Sequence, residues 1–309
     1  MRTNNLKGTL ILGVAALIWG MAFVAQTSVS ESIPTFTINT ISAFIATIAL
    51  FLAWKFVFKK KDETFFPKEN ADKKEFYLGS VLCGVCLTVA INFQQFGISL
   101  YPKSAATEAH SGFITALYVI LVPVFSVFLR KKIKPLVWMG GILAVCGIYL
   151  LCFSGGIDSF YIGDAVVFVC SIAFTIHILL VDRFVDIIGG LKLSIIQFFT
   201  VGVLSLILAL IFDLKTLDFS AFKGAIFPLL YLGIMSRGIA YTLQIIGQKY
   251  AQAAVASITM SFESVFAALG GIIFSGSFPK INEVIGCVIM FAAIIAAQIP
   301  DIIESKKVN

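Results

Sequence analysis

SAATEAHSGFITALYVILVPVFSVFL, residues 104–129, decides how this chain folds. Coiled as one helix at ~1.5 Å per residue, it is long enough to cross a bilayer core of ~30 Å. Ser104, Thr107, Glu108, Ser111, Thr115 and Tyr118 recur within it at helical spacing. At ~100° per residue they occupy roughly a quarter of the circumference, a narrow polar stripe on an otherwise apolar cylinder. A carboxylate at membrane depth costs roughly 2.5 kcal/mol or more unless it meets water or a partner. The stripe therefore faces protein or a water-filled space, not lipid.

The same kind of run recurs on both sides of this stretch. Of the 309 residues 59% are hydrophobic and 13% charged, with a mean hydropathy of +0.98. A soluble domain of this size carries about 25% charge. The apolar residues come in runs of about 20, the length of a membrane span. The pattern predicts an all-α polytopic membrane protein whose first partner is the lipid bilayer. Ten spans are expected, near 7–29, 34–58, 76–100, 104–129, 134–153, 161–181, 190–212, 222–246, 252–274 and 280–300. Between the second and third, the stretch 55–75 is rich in lysine and acid and reads as a charged, solvated cytoplasmic loop. The formal charge of +6 does not point to nucleic acid, because the basic residues lie between spans.

Orientation follows from those basic residues. With the N-terminus inside, most of the 23 Lys and Arg fall on the inner side, and only Lys103, Lys215, Lys223 and Lys280 fall in outer loops. That asymmetry predicts cytoplasmic N- and C-termini and a multi-pass protein of the cytoplasmic (plasma) membrane. The six cysteines all sit in apolar runs and read as packing residues. Cys83-Gly-Val-Cys86 lacks a second ligand pair, so no metal is expected. Neither G-x-G-x-x-G nor a P-loop occurs, so no cofactor is expected either.

The chain also repeats. A shift of 149 positions carries Gly84, Thr88, Asn92, Gln95, Ser99 and Tyr101 onto Gly233, Arg237, Tyr241, Gln244, Gln248 and Tyr250. One helical stripe, Thr88-Asn92-Gln95, thus has a counterpart in Arg237-Tyr241-Gln244. Five spans per unit is an odd number, so two repeats, 7–153 and 161–300, are expected upside down relative to each other. Secondary transporters are often built in this way, with the substrate held near the midplane between the repeats.

Several segments resemble the EamA branch of the drug/metabolite transporter superfamily: LIWGMAFVAQ in span 1, Asn92-Phe-Gln-Gln-Phe-Gly97, GFITALYVILVPVFSVFL (112–129), GDAVVFVCSIAF (163–174) and YTLQIIGQKYAQAAVASITMSFESVFAALGG (241–271). The resemblance covers about 7–300. It implies a five-plus-five inverted bundle, alternating access, and export or exchange of small metabolites. The chain departs from many relatives at Glu263-Ser264, where they carry proline after the glutamate. It also departs at Ser275-Gly276-Ser277, where they have an acid, and at Asn39-Thr40-Ile41-Ser42-Ala43, where they have an arginine.

Site residues follow from the polar positions within spans. Trp19, Thr88, Asn92, Gln95, Glu108, Ser111, Thr115, His177, Arg237, Tyr241 and Gln244 are the candidates for binding a small-molecule substrate. Trp19, Phe23 and Gln26 share one face of span 1 and suit an aromatic wall. Glu108 has no charged counterpart in the second repeat and is the candidate coupling residue, with the proton as candidate ion. Arg237 and Glu263 fall at about the same depth on adjacent spans, as a structural ion pair or as a substrate site. Pro123 is the candidate hinge, and His110 reads as structural. Glu108 with Arg237 suggests a zwitterion such as an amino acid. The competing reading is an integral membrane enzyme acting on a lipid-linked substrate. Such an enzyme needs a reactive cluster, and two histidines without acidic pairs supply none, so no catalytic residue is assigned. The reading holds for a monomer or a homodimer alike.

Overall fold

The computed structural model describes residues 5–59, 64–67, 70–102, 107–152, 160–267 and 281–308. Among these every regular element is a helix, as a bilayer demands: lipid offers no partner to a backbone N–H or C=O. The chain runs α1 (Asn5–Ser30), α2 (Thr35–Ala53), α3 (Asn70–Ser99), α4 (Thr107–Ala116), α5 (Tyr118–Phe128) and α6 (Pro135–Cys152). It continues with α7 (Ile162–Ile188), α8 (Gly190–Phe212), α9 (Phe222–Leu230), α10 (Tyr241–Gln248), α11 (Ala253–Met260) and α12 (Ile281–Val308). Wider π turns close α2 at Trp54–Phe58 and join α9 to α10 at Tyr231–Ala240.

Among the described residues, seven helical stretches are long and apolar enough to cross a membrane, and Pro135–Leu150, Ala253–Ala267 and Val284–Pro300 are shorter apolar helices. The outer surface of the bundle carries large apolar side chains in the open, among them Phe128 at 80% and Phe227 at 83% exposure. Water would not tolerate such a surface; lipid does.

Helices from the two halves of the chain are interleaved. α3 lies along α7, α2 along α8, α6 along α12, and α1 against the π stretch and α10. Small residues allow the closest approaches. A Cβ on Gly163 would sit 2.8 Å from the carbonyl oxygen of Gly97, so the start of α7 and the end of α3 touch backbone to backbone. A Cβ on Gly20 would sit 2.7 Å from the Glu263 carbonyl, so α1 meets the chain just after α11 at the same intimacy. Caps also cross between halves. Asp213, following α8, accepts from the backbone N–H and the hydroxyl of Thr37 at 2.7 and 2.9 Å and so caps the start of α2.

Two helices break where the sequence suggested single spans. The span expected over 104–129 is interrupted at Leu117, between α4 and α5. Pro123 lies inside α5; it has no N–H for the Val119 carbonyl, so the turn beside the break is one bond short. The second break follows α11 at Ser261–Phe262, after which the chain is helical again to 267.

The described part of the 55–75 loop makes contacts with the helix ends. Phe65 packs on Trp54 with ring centroids 5.0 Å apart, Phe66 stacks on Tyr77 at 5.8 Å, and Lys192 donates to the Thr64 carbonyl at 2.8 Å. Two adjacent phenylalanines thus pin the described part of this loop to the helix ends.

Candidate functional site

A cavity lies between α1, α3, the α4–α5 break, α7, the π stretch with α10, and the α11 break. From α1, Trp19, Phe23 and Gln26 point into it, one face at i, i+4 and i+7 spacing, as expected. The Trp19 ring meets Tyr241 edge-on at 4.8 Å, so the aromatic wall joins α1 to α10. Thr115 and Tyr118 line it from either side of the Leu117 break. Arg237, Tyr241 and Gln244 line the opposite side.

The two halves of the polar pattern differ in what they find there. The Arg237 guanidinium, on a residue 4% exposed, donates through Nη2 to the side-chain oxygen of Asn39. Among the described residues Nε and Nη1 have no partner, nor do Trp19 Nε1 and Gln244 Oε1. Buried polar groups are seldom left unpaired, because each costs about 1–3 kcal/mol, more when charged. Arg237, Trp19 and Gln244 all line the cavity.

By contrast, the stripe Thr88-Asn92-Gln95 turns away from the cavity. Thr88 donates to the Gly84 carbonyl in its own helix at 2.7 Å. Asn92 accepts from Asn39 at 3.0 Å and donates to Ser205 at 2.8 Å. Gln95 accepts from Gln26 at 3.2 Å and donates to Ser30. The face of α3 that lines the cavity is the neighbouring one, with Ile91 and Gln94; Gln94 accepts from Gln26 and donates to Thr115, each at 3.2 Å. A step of one residue rotates the helix by ~100°, and nothing in the two residue types chooses between Gln94 and Gln95.

Other expected residues also lie elsewhere. Ser111 is fully buried and donates to the Thr107 carbonyl at 2.6 Å. His177, placed in the cavity by the sequence, is fully buried against α8 instead, with Nε2 3.1 Å from Gln197 Oε1. Glu108 lies in α4, but its side chain is outside the described residues. His110 is structural: its Nδ1 is 3.0 Å from Asp164 Oδ1, which also accepts from the Tyr101 hydroxyl at 2.7 Å. Burial and that carboxylate hold the Tyr101 phenol protonated well above its usual range.

The expected ion pair between Arg237 and Glu263 is not made in this conformation; both face the cavity, each held by a neutral neighbour. Glu263 accepts from the Tyr118 hydroxyl at 3.0 Å. This bond ties the first residue after one helix break to the residue after the other. Tyr118 belonged to the stripe read in the sequence but was not singled out. Asn39 stands directly behind Arg237 and was visible only as a departure from related chains.

A family model described as the EamA-like transporter family matches residues 6–153 and 161–297. An uncharacterized transporter of Archaeoglobus fulgidus is 28% identical over 267 residues, 86% of this chain and 77% of its own. An uncharacterized transporter of Clostridium kluyveri is 25% identical over 237 residues, 74% of this chain and 73% of its own. One solved crystal structure, 18% identical, covers 95% of this chain and 97% of its own with a TM-score of 0.74, which speaks to the fold.

Proposed function

The chain belongs to the EamA-like transporter family, and from that premise we propose a secondary active transporter that moves a small carboxylate-bearing metabolite, an amino acid or similar zwitterion. It crosses the cytoplasmic membrane with ten spans in two inverted repeats and both termini inside. Transport is by alternating access around the central cavity, in the direction of export or exchange. Proton coupling through Glu108 belongs to the same proposal.

One observation carries the substrate class. A buried arginine lines the cavity with Nε and Nη1 unpartnered, and Trp19 Nε1 beside it is equally open. A guanidinium cation suits a carboxylate, through charge-assisted hydrogen bonds. Glu263, and the unpartnered oxygen of Gln244 on the same side as Arg237, suit an ammonium group. The rings of Trp19, Phe23 and Tyr241 suit an apolar side chain between them. The enzyme alternative gains no support from relatives named as transporters.

The test is thermal unfolding of the purified protein with the common amino acids, followed by counterflow of any stabilising compound in proteoliposomes. A ligand at a hundred times its Kd adds ~2.7 kcal/mol to apparent stability. Stabilisation and counterflow of an acid, both lost in Arg237→Gln, support the reading. Counterflow that survives Arg237→Gln removes Arg237 from the site, and a panel of acids that neither stabilises nor exchanges removes the substrate class.

A further inference from the structure

An arginine inside a membrane bundle is ordinarily neutralised by an acid. Arg237 instead meets a neutral amide oxygen, that of Asn39, on a residue wholly buried in α2. We infer that Asn39 is the specificity-determining residue of the cavity: by holding Arg237 in place without neutralising it, it leaves the guanidinium charge for an anionic ligand. The inference rests on the substrate class proposed above and concerns how that site is made.

The orientation of the Asn39 amide follows from its neighbours. Its nitrogen donates to the Ile91 carbonyl at 3.2 Å and to Asn92 Oδ1 at 3.0 Å, so its oxygen is the atom left to face Arg237. Asn92 is fixed in turn, since its nitrogen donates to the Thr88 carbonyl and to Ser205 Oγ, both at 2.8 Å. A chain of neutral groups thus runs from α8 through α3 and α2 to the guanidinium. It brings no negative charge to the guanidinium, and every amide in it has a defined direction.

A bond from one of its nitrogens fixes the plane of the guanidinium. Arg237 lines the cavity with Trp19 and Tyr241, and its Nε and Nη1 have no partner among the described residues. Replacing the Asn39 oxygen by a carboxylate of the same shape would keep the bond and cancel the charge. Asn39 and Asp are nearly isosteric, so one substitution separates holding the arginine from leaving it charged.

The full chain in detergent provides a readout that needs no transport substrate. Butane-2,3-dione, a small neutral dicarbonyl, reacts with arginines not locked to an acid, and mass spectrometry reads its adduct on Arg237. We expect the adduct in the wild type and a rate about tenfold lower or less in Asn39→Asp, since a paired buried guanidinium is far harder to deprotonate and attack. Equal rates in the two proteins, or no adduct on Arg237 in the wild type, overturn the inference. Asn39→Ser, which cannot reach the guanidinium, serves as the second variant. It keeps the adduct but loses the orientation, so it should bind stabilising acids about tenfold more weakly than wild type; undiminished binding also overturns the inference. If the adduct behaves as expected while no amino acid stabilises the wild type, the inference about Asn39 stands and the proposed substrate class falls.

Discussion

Thr88, Asn92 and Gln95 on α3 and, 149 positions further on, Arg237, Tyr241 and Gln244 have the same spacing and similar polarity. Their surroundings are opposite. The first set is paired with its own helix or with residues of α1, α2 and α8. The second faces a cavity with nitrogen and oxygen atoms left open. α3 is a regular helix throughout, whereas Arg237 lies in ten residues of π turn, Tyr231–Ala240. A π turn takes more residues per revolution, so it changes which side chains face inward, and such segments often accompany functional sites. Equal spacing in sequence therefore produced a structural seam in one half and a binding face in the other.

The sharpest way to break that comparison is Arg237→Gln. The affinity for any carboxylate ligand should fall roughly 10- to 100-fold, the ~1.5–3 kcal/mol of a hydrogen bond to a charged group. The unliganded protein should lose no stability, because a buried charge without a counter-charge is removed. Thermal unfolding with and without ligand measures both effects. A melting temperature that drops without ligand would make Arg237 as structural as Asn92.

Asn92→Leu is the converse. It strips partners from Asn39 and Ser205, so stability should fall by about 1–2 kcal/mol; carboxylate affinity should fall less than in Arg237→Gln, because the Ile91 carbonyl still directs the Asn39 amide. Denaturant or thermal unfolding reads the first and ligand titration the second. Next in size is Tyr118→Phe. It deletes the donor to Glu263 that joins the two helix breaks, at a cost of about 1 kcal/mol. Because that bond spans the segments with interrupted helices, the transport rate should change more than ligand affinity does.

The helices were legible because apolar runs of this length admit no other backbone in lipid. The α1 face Trp19-Phe23-Gln26 was legible too, since one polar residue among apolar neighbours marks a single direction. The direction of α3 was not. Gln94 and Gln95 are adjacent, both are buried, and an environment apolar on all sides offers no wet face from which to take a bearing. His177 shows a related ambiguity: a buried polar residue on a span can be matched by another span, here Gln197 on α8, as readily as by a ligand. The separation of Arg237 from Glu263 was also hidden. Equal depth counted along two helices says nothing about azimuth, and the intervening partners, Asn39 and Tyr118, come from spans far away in sequence.

The smallest expected effect bears most directly on whether the two stripes differ. Thr88 donates only to the Gly84 carbonyl four residues back, an oxygen that the helix ladder also uses. Thr88→Val keeps the shape and removes a bond from a group whose backbone acceptor is otherwise satisfied, so stability should change by no more than about 0.5 kcal/mol. Ligand titration should be unaffected, since the side chain does not border the cavity. Its counterpart in the second half is Arg237, where the largest effect is expected. If Thr88→Val weakened ligand binding as strongly as Arg237→Gln, the α3 stripe would have to face the ligand in another conformation. The seam would then be a second binding face, open when the first is closed.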